Sequence, residues 1–293
     1  MMKRMAGEMN NATEALVDLG AQEGAWKFLD LCMAPGGFSQ FLLDLHPTGK
    51  VCGISLPFLK GGHQMLLNVR DPRVTVEFLD ITMLFSEMFS PEAGITTIPP
   101  GHPDAGDFLD FRPYHSEVFD LVICDGQVLR THERLAYREP VEHTRLLMSQ
   151  LAIGLSRIKP GGSMIVLLHK VDHWGSLTLL ETFNEFSRIQ LFKPEKCHAI
   201  RSSFYMIAKD VQPQSPHAVS AVASWKRSWM SATFEACRQE PPTTEYITAV
   251  LSRFGKHYLQ LGTPIWAVQR DALGRSSICQ DVGDSQGKSF RAS

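Results

Sequence analysis

The stretch KFLDLCMAPGGFSQFLLDLHPTGKVCGISLP, residues 27–57, decides the fold. An apolar run is followed by a Gly-Gly turn, an amphipathic segment and a second apolar run, which predicts a strand, a loop, a helix and a strand. Gly36 and Gly37 lack Cβ atoms, so the backbone of this turn can approach a ligand closely. The turn has neither GxGxxG nor GK[ST], which disfavours dinucleotide and P-loop sites. A turn that binds no ligand is the alternative left open by the local pattern.

The same alternation continues along the chain. Apolar β-type runs predict strands at 28–32, 51–56, 74–79, 119–124, 163–169 and 203–209. Helical periodicity predicts helices at 37–45, 64–70, 139–158 and 177–188. Strands that alternate with helices indicate an α/β fold with a mostly parallel central sheet and helices on both faces. The segment 90–114 holds too many prolines for a regular element and is predicted to be a long surface loop.

Composition and charge indicate a globular protein. The 293 residues are 44% hydrophobic and carry a net charge of −2, which excludes a histone-like basic protein but leaves an RNA partner open. The six cysteines are scattered without a CxxC spacing, which is typical of reduced thiols in an intracellular protein. No signal-peptide core and no apolar run of ~20 residues is present, so we expect a soluble cytoplasmic or nuclear protein with no membrane partner.

Several motifs resemble one family. DLCMAPGGFSQFLL, residues 30–43, is similar to the S-adenosylmethionine loop of the FtsJ/RrmJ family of RNA ribose methyltransferases. Four further pieces follow in the family's order: FLDIT at 78–82, FDLVICDGQ at 119–127, IKPGGSMIVLLHKV at 158–171 and FKPEKCHAIRSSFYMIAK at 192–209. The resemblance implies a Rossmann-like, S-adenosylmethionine-dependent methyltransferase.

Four regions are predicted along the chain. An N-terminal helical segment at 1–24 precedes the FtsJ-like methyltransferase domain at 25–211. A helical C-terminal extension at 212–273 is expected to dock on that domain, with its last helix ending at Gly262, and a disordered tail follows at 274–293. Within the extension, Trp225 and Trp229 have i,i+4 spacing. They are predicted to pack against the body of the protein, and stacking on an RNA base is the alternative.

The resemblance implies where the cofactor S-adenosylmethionine binds. Asp30 would lie near its methionine end, Asp80 would accept from the adenine amino group and Ile81 would flank the ring. Ser55 would contact the ribose where many methyltransferases have a carboxylate, at a cost of ~1 kcal/mol of that contact. The alternative for Asp80 is a helix N-cap. The residues implied to bind the cofactor are Asp30, Ala34, Pro35, Gly36, Gly37, Phe38, Ser55, Asp80, Ile81 and Asp125.

The resemblance also implies a catalytic Lys-Asp-Lys-Glu tetrad. Lys170 matches the central lysine, whose ammonium would stabilise the alkoxide that develops on a ribose 2′-hydroxyl, and Asp125 matches the aspartate. Two members depart from the family's pattern. Ser203 stands where the glutamate is expected, and Lys3 and Arg4 lie too far upstream for a secure match to the first lysine.

We therefore predict a methyltransferase that transfers a methyl group from S-adenosylmethionine to an RNA ribose 2′-hydroxyl, assisted by Lys170 and Asp125, with RNA as substrate and no metal ion. Two alternatives stay open. A small-molecule methyltransferase predicts a closed, partly apolar pocket over Gly36 and Asp125. A non-catalytic module that binds the cofactor or RNA follows from Ser203 in place of glutamate. The charged segment LRTHERLAYRE, residues 129–139, is predicted to be solvated, with phosphate binding as its functional alternative.

Overall fold

A seven-stranded sheet forms the centre of the molecule in a computed structural model that describes residues 1–17, 25–89, 97–235 and 242–276. The strands are β1 Lys27–Leu31, β2 Lys50–Ser55, β3 Val74–Phe78, β4 Phe119–Cys124, β5 Ile158–His169, β6 Arg188–Phe192 and β7 Ser203–Val211. Their order across the sheet is β3-β2-β1-β4-β5-β7-β6. The pairs from β3 to β5 are parallel, and β7 is antiparallel to both of its neighbours.

Helices cover both faces of this sheet. They are α1 Met2–Thr13, α2 Gly37–Leu45, α3 Phe85–Met88, α4 Glu142–Arg157, α5 Trp174–Asn184, α6 Pro216–Met230 and α7 Thr244–Gly274. One apolar core contains residues of α1 and α2, and the other contains residues of α4 to α7. Successive side chains of a strand point to opposite faces of the sheet, so β5 contributes to both cores. Its Val166 belongs to the second core and its Leu167 to the first. The predicted α/β fold is confirmed. No helix in the described part of the chain is both long and apolar enough to cross a membrane.

The strand order creates a cleft beside β1. The chain builds β1, β2 and β3 in one direction and then returns to place β4 on the other side of β1. In an open α/β sheet, ligands bind beyond the carboxyl ends of the strands at such a reversal point. Asp30 lies near the carboxyl end of β1 and Asp125 directly follows β4, so the topology brings both carboxylates to this cleft.

The helix predicted at 64–70 is not formed. Instead, the backbone amides of Leu66 and Leu67 both donate to the carbonyl oxygen of Pro35, at 3.1 and 3.3 Å. The segment therefore packs against the Gly-Gly turn in a non-helical conformation. The prediction was wrong because the apolar residues of this segment contact the turn and not a common helix face. Strand β6 is a second difference, since it was not predicted and follows a helix that ends at Asn184.

The C-terminal extension forms two helices that pack on the second core. Trp225 and Trp229 are buried, which confirms that they face the body of the protein, and the indole of Trp229 donates to the carbonyl of Thr82 at 3.2 Å. The predicted end of the last helix at Gly262 is wrong, because α7 continues to Gly274. A Cβ at Gly262 would lie 3.0 Å from the indole ring of Trp266, one turn further along the helix, and 3.4 Å from Val171, so this glycine leaves room for the indole. Most of the predicted tail, from residue 277 onward, lies outside the described residues.

Candidate active site

A cavity of about 670 Å³ lies at the carboxyl ends of the parallel strands. Four carboxylates line it: Asp30 from β1, Asp80 after β3, Asp125 after β4 and Glu142 at the start of α4. The volume is within the range of small-molecule and cofactor sites, about 300–1,000 Å³. Acidic groups in one largely apolar cavity suit a ligand that carries positive charge and amino groups.

The Gly-Gly turn forms one wall of this cavity. Gly36 has a left-handed backbone, with φ at 94°, and precedes the first residue of α2. A Cβ at Gly36 would lie only 2.6 Å from the Cβ of Leu67, so the turn requires glycine there. The hydroxyl of Ser55 accepts a hydrogen bond from the amide of Ala34 at 3.3 Å, which ties the turn to the end of β2.

The sequence-predicted cofactor residues come together here with one exception. The predicted residues that line the cavity are Asp30, Ala34, Pro35, Gly37, Phe38, Ser55, Asp80, Ile81 and Asp125. Gly36 is not among the described lining residues, and its Cα faces Leu67. Gly36 is the exception because it bends the turn and faces Leu67, so it lies behind the residues of the turn that line the cavity.

Asp30 anchors the start of α2. Its side chain is 3% exposed and accepts a hydrogen bond of 2.5 Å from the hydroxyl of Ser39. Burial raises the pKa of Asp30 to about 6, and the hydrogen bond from Ser39 opposes that change. Asp30 is therefore a carboxyl group whose charge depends strongly on what occupies the cavity.

Asp125 forms a pair with Tyr205 on β7. The tyrosine hydroxyl donates to Oδ1 of Asp125 at 2.9 Å, and both residues line the cavity. Burial raises the pKa of Asp125 to about 8, while the hydrogen bond from Tyr205 lowers it and the charge of Asp30 raises it further. The following amide, that of Gly126, donates to Oε1 of Gln150 at 2.8 Å, which fixes the backbone after the aspartate.

Asp80 belongs to a buried ion-pair network. It caps a short 3₁₀ turn by accepting from the amide of Thr82 at 2.9 Å, which was the structural alternative for this residue. It also accepts from Arg138 at 2.9 Å and lies 3.2 Å from His132. Burial opposes ionisation, but the hydrogen bond from His132 and the charge of Arg138 outweigh it and hold the pKa of Asp80 well below its usual range.

Ligand atoms of Asp80, His132 and Glu142 lie within 4.8 Å of one another, close enough for a metal ion. Arg138 already donates to Asp80 at 2.9 Å and to Glu142 at 2.6 Å, and Arg145 donates to Glu142 at 3.2 Å. The arginines neutralise these carboxylates, so the donor set favours an ion-pair network over a metal centre.

This ion-pair network was not predicted from the sequence. The segment 129–139 was expected to be solvated, and that is wrong for Arg138, which is 4% exposed. One reason is that its partner Asp80, which follows β3, is distant from Arg138 in sequence. The i,i+4 spacing of Arg138 and Glu142 was the one local signal that could have indicated the pair.

The tetrad positions are only partly brought together. Ser203 lines the cavity, but Lys170 is exposed and is not among the described lining residues. Its backbone is left-handed, with φ at 52°, and its amide donates to the carbonyl of Ser202 at 2.9 Å. On β5 the residue that faces the cavity is Leu167, which pairs in register with Tyr205.

The two upstream candidates for the first lysine also lie outside the described lining. Lys3 forms an ion pair with Asp44 on α2. Arg4 donates to the sulfur of Cys197 at 2.7 Å, in the loop between β6 and β7. Both side chains therefore attach α1 to neighbouring elements.

Helix α1 supplies a wall of the cavity that the sequence did not predict. Met1, Met2 and Met5 line the cavity beside Phe38. This position depends on Gly37, because a Cβ there would lie 2.3 Å from the Cβ of Met2. The methionine-rich start of the chain was the available signal, since methionine is common at adaptable binding surfaces.

Comparisons with known proteins find methyltransferases that are similar to this chain. The chain is similar to the cap-specific mRNA (nucleoside-2′-O-)-methyltransferase of Autographa californica nuclear polyhedrosis virus, with 24% identity over 192 residues. That similarity covers 61% of this chain and 62% of the relative, so the chain spans about three fifths of the curated protein that it matches.

Two solved structures are also similar. A ribosomal RNA methyltransferase from Plasmodium falciparum has 16% identity and a TM-score of 0.41, over 71% of this chain and 97% of that one. Human methyltransferase-like protein 13, in complex with SAH, has 13% identity and a TM-score of 0.43, over 83% of this chain and 98% of that one. The family model described as FtsJ-like methyltransferase matches residues 6–211, more than half of the chain. The resemblance read from the motifs is confirmed, and the chain belongs to the FtsJ-like methyltransferase family.

Proposed function

We propose that the protein binds S-adenosylmethionine in this cavity and methylates the 2′-hydroxyl of an RNA ribose. One observation carries the proposal: Asp125, hydrogen-bonded to Tyr205, faces the same cavity as the Gly-Gly turn. Membership of the FtsJ-like family supports the cofactor, and the name of the viral relative supports the RNA hydroxyl as acceptor.

The lining residues suit the cofactor. Asp30 would attract its ammonium group, Ser55 would meet the ribose, and Ile81 would flank the adenine ring. Asp80 already accepts hydrogen bonds from protein groups, so its negative charge, more than a free acceptor site, would attract the adenine amino group. When bound, the cofactor supplies a methyl group on a positively charged sulfur, and that charge favours the ionised form of Asp125.

Asp125 and Tyr205 have distinct tasks in the proposed reaction. The ionised carboxylate of Asp125 would accept the proton of the ribose hydroxyl as the hydroxyl oxygen bonds to the methyl carbon. The bond from that carbon to the cofactor's sulfur would break at the same time and leave a neutral thioether. Tyr205 holds the carboxylate in place through the 2.9 Å hydrogen bond and, as an uncharged donor, leaves its second oxygen available to the substrate. Positioning of the acceptor oxygen and the methyl group provides the remaining rate enhancement.

Lys170 is assigned to the rim of the site. It follows β5, and the preceding residue, His169, pairs in register with Ser203, which lines the cavity. A lysine side chain on this rim would bring its ammonium toward the ribose and its phosphates once RNA is bound. The role resembles that of the family's central lysine, although on β5 it is Leu167 that faces the cavity.

Methyl transfer from labelled S-adenosylmethionine to total RNA tests the proposal. We expect Asp125→Asn to lower the initial rate by about 10²–10⁴-fold, as for loss of a general base. Lys170→Ala should lower it at least about tenfold, and Lys256→Ala, which removes an exposed lysine of α7, should leave it unchanged. Cofactor binding without any transfer would instead identify a non-catalytic module, and full activity of Lys170→Ala would exclude its proposed role.

A small-molecule acceptor is the second candidate. The wall beside Asp125 is apolar, with Met2, Met5 and Leu167 among its residues. Such a wall suits an uncharged acceptor that enters the cavity completely. This candidate predicts that the label enters a small-molecule extract and not RNA, in the same assay and with the same loss in Asp125→Asn.

A further inference from the structure

A turn with exposed apolar side chains lies at the mouth of the cavity. Residues 57–62 connect Leu56 to His63, both of which line the cavity. Phe58 is 66% exposed and Leu59 is 89% exposed, and Leu66, at 74%, also lines the cavity. We name Phe58, Leu59 and Leu66 the mouth patch. Single exposed apolar residues are ordinary, but adjacent large ones at a site entrance indicate a binding surface.

The turn that carries Phe58 and Leu59 is held by several hydrogen bonds. Two of its backbone amides donate to the carbonyl of Pro57 at 2.9 and 3.1 Å, and the hydroxyl of Thr131 donates to the carbonyl of Gly61 at 2.7 Å. Gly61 has φ at 84°, and a Cβ there would lie 1.7 Å from the carbonyl oxygen of Thr131. The turn is thus fixed against the segment after β4 while its apolar side chains point to solvent. Such preorganisation reduces the entropy cost of binding.

Basic side chains accompany the mouth patch. Lys60 lies on the turn, and Arg130 directly precedes Thr131, which holds the turn. Both are exposed, and neither forms an ion pair with a residue in the described ranges. Glu133 is the nearby acidic residue, and its amide donates to the carbonyl of Lys60. Unpaired cations beside an exposed aromatic ring suit phosphates on either side of a stacked base.

We propose that the mouth patch binds single-stranded RNA, with one base stacked on Phe58 and the flanking phosphates on Lys60 and Arg130. The inference rests on the proposed function, because a strand held at this entrance leads a neighbouring ribose toward Asp125. A protein partner fits less well, since a protein docked on the same residues would cover the entrance that the acceptor must pass.

Fluorescence anisotropy with a labelled single-stranded RNA of about 12 nucleotides tests this surface. We expect Phe58→Ala to weaken binding about tenfold and Phe58→Trp to bind like the wild type, because stacking is retained. Lys60→Ala should reduce the slope of log affinity against log salt by about 0.7. Phe111→Ala is the matched control, since Phe111 is 44% exposed and is not among the described lining residues.

Calorimetric binding of S-adenosylmethionine separates this inference from the proposed function. We expect Phe58→Ala to bind the cofactor like the wild type and to lose only RNA affinity. If Phe58→Ala binds RNA within about twofold of a wild type that methylates RNA, the mouth patch is excluded and the proposed function stands. If the wild type neither binds nor methylates RNA, both are overturned. If Phe58→Ala converts a dimer to a monomer at unchanged RNA affinity, the surface belongs to a second copy of the chain.

Discussion

Asp125→Asn is expected to stabilise the protein while it lowers the rate of methyl transfer by about 10²–10⁴-fold, and the stabilisation should grow with pH. Burial raises the pKa of Asp125 from 3.8 to about 8. Between these values the folded protein retains a proton that the unfolded chain has lost, so the free energy of unfolding falls as pH rises, by about 1.36 kcal/mol per pH unit. At pH 7 Asp125 lowers the free energy of unfolding by about 4 kcal/mol relative to low pH. About 2 kcal/mol of this decrease occurs between about pH 5.5 and pH 7.

These figures are upper limits, because Asp125 is partly exposed to the cavity and water there favours its charged form. Asparagine has nearly the same shape as aspartate, and its side-chain oxygen can still accept a hydrogen bond from Tyr205. The substitution therefore removes mainly the free-energy cost of ionising the carboxyl group in the cavity. Such a loss of stability is expected at an active site, where a residue suited to proton transfer is retained although it destabilises the folded protein.

Urea denaturation followed by tryptophan fluorescence measures this difference at about pH 5.5 and about pH 7. The comparison is between variant and wild type at each pH, so contributions from Asp30 and other shared groups largely cancel. Asp107→Asn, an exposed aspartate in the loop before β4, is the matched control and should show no pH-dependent difference. A gain in Asp125→Asn that is equal at both pH values would refute the reasoning, as would a loss of stability at pH 7.

Two further substitutions test the packing around the site. Gly37→Ala should lower the free energy of unfolding by about 1–3 kcal/mol, because its Cβ would lie 2.3 Å from that of Met2; unchanged stability in urea would show that α1 shifts without cost. Arg138→Met should cost about 3–5 kcal/mol at neutral pH, since Asp80 and Glu142 lose their shared partner. The low pKa of Asp80 stabilises the wild type above about pH 4, so this deficit should shrink in denaturation below that pH, and a constant deficit would contradict the assignment.

Local patterns were sufficient for six of the seven strands of the sheet. Each predicted strand was an apolar run bounded by turn residues, and the order of strands and helices follows from rules that apply to any α/β chain. The residues predicted to bind the cofactor came from the family resemblance, and Asp30 and Asp125 also lie at strand ends, which meet at one edge of a parallel sheet. The burial of Trp225 and Trp229 was likewise readable from their spacing on one helix face.

Features that depend on distant contacts were not predictable. The segment at 64–70 has helical periodicity, but its amides satisfy Pro35 instead. Gly262 has the chemistry of a helix end, but α7 continues through it to Gly274. Arg138 is charged and lies in a polar segment, and apart from its i,i+4 spacing to Glu142 nothing near it in sequence indicates that it pairs with Asp80 after β3.

The strand order divides the residues that line the cavity into two sets, one on each side of β4. In the proposed function the cofactor lies against residues of β1 and β2 and of the segments after β1 and β3, whereas Leu167, Ser203 and Tyr205 reach the cavity from strands on the opposite side of β4. Exchange of side chains on these two strands would then alter the accepted nucleophile and leave the methyl donor's side of the cavity intact. Installing Leu167→Lys and Ser203→Glu together would place a lysine and the family's expected glutamate beside Tyr205, and so test whether this side alone determines the acceptor.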